Sequence, residues 1–109
     1  MLIRIWKVAL AAGQGAALEH FAHTISLPMF HRHAGCLGVF FNRDAETCVT
    51  ITLWRSEADI AAMEATSDYQ SVVAQIEQSG ILGEDHHTEL YTVYGGFVSP
   101  ALASHWIQA

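Results

Sequence analysis

Residues 34 to 56, A-G-C-L-G-V-F-F-N-R-D-A-E-T-C-V-T-I-T-L-W-R-S, leave this chain few ways to fold. They read as two β-strands around a short polar turn. The first, Cys36 to Arg43, carries Leu37, Val39, Phe40 and Phe41. The second, Cys48 to Arg55, alternates Val49, Ile51 and Leu53 with Thr50, Thr52 and Trp54, the period of a pleated strand. Asp44-Ala45-Glu46-Thr47 between them makes a β-hairpin. A two- or four-residue loop sets Phe41 opposite Thr50, Phe40 opposite Ile51, Gly38 opposite Leu53 and Leu37 opposite Trp54. A loop one residue different sets Val39 opposite Ile51, and the sequence leaves both registers open. In either, large apolar side chains leave the hairpin on both faces. A sheet with one wet face is apolar on one side only. Both faces are therefore expected to be covered, one by the chain's own helices and the other by a second copy of the chain.

The remaining elements follow from periodicity. Leu2 to Ala9 is a strand with Ile3 and Ile5 on one face and Leu2, Arg4, Trp6 and Val8 on the other. After Gly13-Gln14-Gly15, a helix from about Ala16 places Leu18, Phe21, Ala22, Ile25 and Met29 on one stripe. Pro28 lies inside that stripe, so a kink or break is expected around Ser26 and Leu27. His31-Arg32-His33 forms a cationic last turn before Gly35. Ser56-Glu57-Ala58-Asp59 and Ser67-Asp68-Tyr69-Gln70 resemble capping boxes. The first opens a short helix with Ile60 and Met63 inward, the second a helix with Tyr69, Val72, Val73 and Ile76 on one stripe. Gly83-Glu84-Asp85 reads as loop, and His86 to Tyr94 as a fourth strand. Ser99 and Pro100 begin a short terminal helix whose Leu102, Trp106 and Ile107 call for docking. The order is β-α-β-β-α(α)-β, the ferredoxin-like α+β arrangement. The domain is read as residues 1–95, followed by a tail at 96–109.

Size and charge narrow the function classes. At 109 residues there is room for one core. Apolar residues are 51% and charged residues only 15%, a composition suited to burying surface against a partner. Five basic against 11 acidic residues, net −6, argue against nucleic acid or anionic membrane as ligand. No apolar run reaches the ~20 residues of a membrane-spanning helix, and the N-terminus lacks a signal-peptide pattern; the protein is expected to be cytoplasmic. Cys36 and Cys48 fall at opposite ends of the hairpin, roughly 20 Å or more apart at ~3.4 Å per residue. That exceeds the ~7 Å limit for a disulfide, so both are expected to be buried, reduced thiols.

The element order, with G-C-L-G opening strand two, R-D before the turn, L-W-R-S-E-A-D closing strand three and H-T-E-L-Y-T-V near the end, resembles the antibiotic biosynthesis monooxygenase family over Leu2 to Tyr94. The resemblance implies a dimeric α+β barrel, with a mostly apolar pocket in each subunit between sheet and helices. Two branches of that family have defined sites. The haem-degrading branch carries Asn on strand one and a Trp and a His on the helices after strand three. Those slots hold Trp6 or Lys7, Met63 and Val73, which argues against haem degradation. The anthrone-oxidising branch places Asn four residues before the strand-three Trp and Tyr six after it. Trp54 matches that pattern, while Thr50 and Ile60 depart from it.

Cofactor-independent oxygenation needs a dry pocket that holds an electron-rich ring, a base, and a donor for the developing oxyanion. Trp6, Phe21, Phe40, Met63, Tyr69 and Tyr91 are the candidate lining, though such side chains are also ordinary core. Trp54 is the candidate donor, because a buried indole N–H needs a partner. His23, at the edge of the apolar stripe, is the candidate general base; a plain surface histidine is the competing reading. Arg4, on the same face as Trp6, is suited to neutralising a substrate anion or to guarding a sheet edge. The histidines do not fall at metal-ligand spacing: His20 and His23 share a helix face without a further ligand, and His86 and His87 point to opposite faces. No metal and no cofactor are expected. The favoured reading is a homodimer acting on a small aromatic quinol, anthrone or polyketide-like molecule. An isomerase or decarboxylase using the same pocket, and a non-catalytic binder or stress-associated dimer, are the alternatives.

Overall fold

The computed structural model describes residues 1–103; Trp106 and Ile107 of the expected terminal helix lie outside them. Strand β1 (Leu2–Leu10) leads into α1 (Gly15–Phe21), a π-helical turn (Ala22–Ser26) and α2 (Leu27–His31). The hairpin β2 (Cys36–Arg43) and β3 (Thr47–Trp54) follows, then α3 (Glu57–Glu64), α4 (Ser67–Gln78), β4 (Leu82–Thr92) and a short α5 (Pro100–Ala103). The sheet runs β2-β3-β1-β4 with every neighbouring pair antiparallel. This is the expected ferredoxin-like α+β order.

Local chemistry explains most boundaries. Asp44 Oδ1 accepts the Glu46 and Thr47 amides at 2.8 Å each, so the side chain imitates a backbone turn and closes the hairpin. Ser56 caps α3: its hydroxyl accepts the Asp59 amide at 3.2 Å and donates to the Asp59 carboxylate at 2.7 Å. The second cap differs from expectation by one residue. Thr66, not Ser67, has the extended backbone of a cap, and its hydroxyl accepts the Tyr69 amide. The regular helix is interrupted at Ser26 and Leu27, where Pro28 led one to expect it: the π-helical turn ends at Ser26 and α2 begins at Leu27. Pro28 stands near the start of α2, behind the π-helical turn. The widened turn absorbs the missing amide and the bulk of the ring without ending the helical path.

The hairpin register pairs Phe41 with Thr50, Phe40 with Ile51 and Gly38 with Leu53, as a two- or four-residue loop requires. Beyond Gly38 the register shifts, and Trp54 lies opposite Cys36 rather than Leu37. Leu37 is the extra residue of this bulge and is 53% exposed. β4 also begins earlier than expected, because Leu82 pairs with Leu10 across a second irregularity and Gly83 to Asp85 belong to the strand.

Pairing β1 with β3 aligns Leu2, Arg4, Trp6 and Val8 with Trp54, Thr52, Thr50 and Cys48. This face meets the helices, and the core forms there from Val8, Trp54, Met29, Phe30, Ile60, Met63, Val72 and Ile76. The other face presents Ile3, Ile5, Phe40, Val49, Ile51 and Leu53, all only partly covered by their own chain. At its β4 side Glu89 gathers the Lys7 ammonium at 3.7 Å, His87 at 3.0 Å and the Tyr91 hydroxyl at 2.8 Å.

The acid limb of stability should report the α3 cap. The Arg55 guanidinium and Ser56 hydroxyl hold the Asp59 carboxyl down at about 2, below its ordinary 3.8. A carboxylate lowered by folding stabilises the native state above its unfolded pKa, and that contribution is lost as pH falls through the folded one. Asp59→Asn should therefore flatten the loss of stability between about pH 4 and pH 2, read by denaturant melts at each pH. An unaltered acid limb would mean the cap carries none of it.

Candidate functional site

Two cavities lie between the sheet and the helices, of about 540 and 480 Å³. Either is within the usual range for a small-molecule site of ~300–1,000 Å³. Trp6, Phe41 and Thr50 from the sheet, with Ser26 and Ile76 from the helices, wall both. The larger cavity adds Arg4, Met29, Phe30, Tyr69, Val72, Glu84, His86 and Thr88. The smaller adds Phe21, His23, Glu19, Asn42, Arg43 and Cys48.

The strand period puts Trp6 and Arg4 on one wall, and pairing brings Thr50 and Phe41 beside Trp6. Phe30 from α2 closes over Phe41, with ring centroids 6.4 Å apart and planes at 47°, a tilted contact favoured by the ring quadrupoles. The π-helical turn supplies His23 and Ser26. His23 is exposed and stands at the rim of the smaller cavity.

Of the residues singled out from sequence, Trp6, Phe21, Tyr69 and His23 line these cavities. Four stand outside both cavities. Trp54 is 0% exposed, and its indole N–H donates to the Thr52 hydroxyl at 2.7 Å. That hydroxyl lies 3.5 Å from the Arg4 carbonyl. The indole is thus spent within β3, on the Thr52 hydroxyl that itself reaches β1, and Trp54 borders neither cavity. Met63 is buried in the core and likewise borders neither. Phe40 belongs to the open sheet face, because its neighbour Phe41 takes the inner position. Tyr91 is on that open face too, 53% exposed; Glu89 accepts its hydroxyl and pushes its pKa up.

Phe30, Phe41, Thr50 and Ser26 are the cavity residues that sequence reasoning passed over. The strand signal for Phe41 and Thr50 was present, since both share a face with Trp6 in the correct register. Burial pushes the Cys36 and Cys48 thiols up, and both are free. Among the described residues no three of His, Cys, Asp and Glu are placed to hold a metal ion. No described helix is long and apolar enough to cross a membrane.

Fold and cavities together define a small α+β protein of ferredoxin-like order with an aromatic-walled chamber under its helices. Comparison with known proteins places that fold. The chain is similar to SnoaB from Streptomyces nogalater, a cofactor-independent oxygenase, with 13% identity over 90% of this chain and 97% of that one and a TM-score of 0.70. It is similar to an antibiotic biosynthesis monooxygenase (17% identity, 87% and 100% of the two chains, TM-score 0.65). A third likeness is to NE2512 from Nitrosomonas europaea, a protein of unknown function (18% identity, 90% and 93%, TM-score 0.74). The chain has the fold of the antibiotic biosynthesis monooxygenases, as its motifs suggested. No protein-family profile matches the sequence, and no curated protein sequence does.

Proposed function

We propose that this protein is a cytoplasmic homodimer of the antibiotic biosynthesis monooxygenase type. Its reaction is the cofactor-independent oxidation of a small planar quinol, anthrone or related polyketide by dioxygen. One observation carries the reading: an aromatic-walled chamber, large enough for such a ring, in a fold shared with a cofactor-independent oxygenase. Trp6, which walls both cavities, and Tyr69 of the larger one hold the ring, with Phe21 in the adjoining smaller cavity, and the aromatic walls limit the access of water. His23, at the rim of the adjoining smaller cavity that shares the Trp6, Phe41 and Thr50 walls, takes the proton that ionises the substrate. The resulting anion is electron-rich enough to reduce dioxygen directly, with no metal or flavin as intermediary. For an anthrone the ring CH₂ becomes C=O, and its two hydrogens leave with the second oxygen atom as water. The half-covered apolar sheet face supports the homodimer, since its burial needs a partner surface of the same character.

The test is oxygen uptake on a panel of quinols and anthrones, with and without a metal chelator. Uptake that ignores the chelator and falls about 10²-fold in His23→Ala is the expected result, the size typical of a lost general base. Turnover that continues under strict anaerobiosis would instead mark an isomerase or decarboxylase. No oxygen uptake with any member of the panel would refute the reading.

A further inference from the structure

Arg4 is the most enclosed of the chain's four arginines and the most weakly held. Arg32, Arg43 and Arg55 are exposed, and each makes short bonds to a carboxylate: 2.7 and 3.0 Å to Asp68, 2.7 Å to Glu19, and two of 2.9 Å to Asp59. Arg4 has a side chain only 11% exposed, in the wall of the larger cavity. Its guanidinium makes no hydrogen bond among the described residues, and its carboxylate partner, the half-exposed Glu64, stays 3.7 Å away. A buried guanidinium carries a desolvation cost that one long contact does not offset. Its planar fork is shaped to receive two oxygens of an anion.

The rest of the cavity gives this cation a direction. Strand register puts Arg4 at the Leu90 level, Trp6 at the Thr88 level and Val8 at the His86 level. Glu77 and Glu84 line the same cavity, Glu84 beyond the Val8 level. One end therefore carries Arg4 and the other the two carboxylates beside His86, with Trp6 between them. At ~3.3 Å per residue the Arg4 and Val8 levels are about 13 Å apart, the length of a two- or three-ring aromatic.

We infer that the larger cavity selects planar aromatic monoanions, with Arg4 receiving the negative oxygen and Trp6 the ring. The inference rests on the reading of this cavity as the substrate site. The anion is a carboxylate or an ionised ring hydroxyl, both of which present oxygen to the guanidinium fork. Glu77 and Glu84 repel a second negative charge at the far end, so dianions are rejected and the ligand enters in one orientation. Arg4 is thus a specificity-determining residue.

Calorimetric titration of the full-length protein with 2-naphthoate, 2-naphthamide and 2,4-dinitro-1-naphtholate tests this. The two anions separate the carboxylate source from the hydroxyl source, and the amide is the neutral control. The expected result is at least tenfold tighter binding of one or both anions than of the amide. Arg4→Gln should erase that ratio while amide binding persists, which also reports that the variant is folded. Glu64→Gln, which releases Arg4 from its long partner, should increase it. Equal binding of anions and amide by the wild type, or a preference that survives Arg4→Gln, overturns the inference. Binding of none of the three overturns it together with the cavity reading. Oxygen uptake with neutral substrates, unaltered in KM by Arg4→Gln, overturns the inference alone. Anion-selective binding without oxygen uptake upholds it and removes the oxygenase reading instead.

Discussion

Trp54→Ala should lower the free energy of unfolding by about 3–5 kcal/mol, the range for removing a large aromatic from a packed core. Trp54 is fully buried, and its indole bonds the equally buried Thr52. Alanine at this position leaves both a void and a hydroxyl without its donor. For a domain of this size the change corresponds to a fall in Tm of roughly 12 °C or more, measured at fixed protein concentration. Trp54→Phe should fall between the two, because it keeps most of the ring volume while losing the N–H and two ring carbons. Oxygen uptake per folded molecule should stay the same in the phenylalanine variant, since the indole borders neither cavity. A variant that keeps the wild-type Tm but loses uptake would return Trp54 to the chemistry and contradict its assignment to the sheet.

If the proposed homodimer forms through the open sheet face, Ile51→Lys should give a folded monomer in its place. Ile51 occupies one rung with Ile5 and Phe40 on the open face, so a charge there is central to any sheet-to-sheet contact. In a two-fold assembly the lysine appears twice in the same interface. An uncompensated buried charge costs about 3–5 kcal/mol, so the dissociation constant should rise by at least about three orders of magnitude. Sedimentation at micromolar concentration should give about 24 kDa for the wild type, twice the 12.0 kDa chain, and 12.0 kDa for the variant. Circular dichroism should be alike for the two, because the substituted face is not the one the helices pack on. A wild-type mass of 12.0 kDa at that concentration would refute the dimer and leave the open face without an occupant.

These two residues mark how far the sequence carries. Ile51 and Trp54 sit on opposite faces of one strand, and alternation alone separates them. Which face the helices took was not legible: Arg4, Trp6 and Val8 alternate with Ile3 and Ile5 in β1, and both sets are apolar enough to be buried. The caps, the antiparallel order and the reduced thiols rest on the same short-range rules of dihedral angle, period and chain reach. The fate of Trp54 was not legible as first read. A buried indole N–H needs an acceptor, but the sequence does not say whether that acceptor is a ligand or Thr52, two residues away on the same face. The bulge at Leu37 was equally hidden: it changes the partner of Trp54 while leaving the apolar pattern of β2 intact.

The order of elements and the two-faced alternation of each strand were set by the sequence itself, because each depends on neighbours within a few positions along the chain. The chamber was decided only by tertiary structure. Its walls come from β1, β2, β3, β4, the π-helical turn, α2 and α4, and it exists because those elements leave volume unfilled where they meet. For the same reason Phe30 and Phe41 entered the site while Phe40, Met63 and Tyr91 stayed out of it. The weak pairing of Arg4 with Glu64 likewise depends on a strand and a helix sixty residues apart, and no local pattern records that distance.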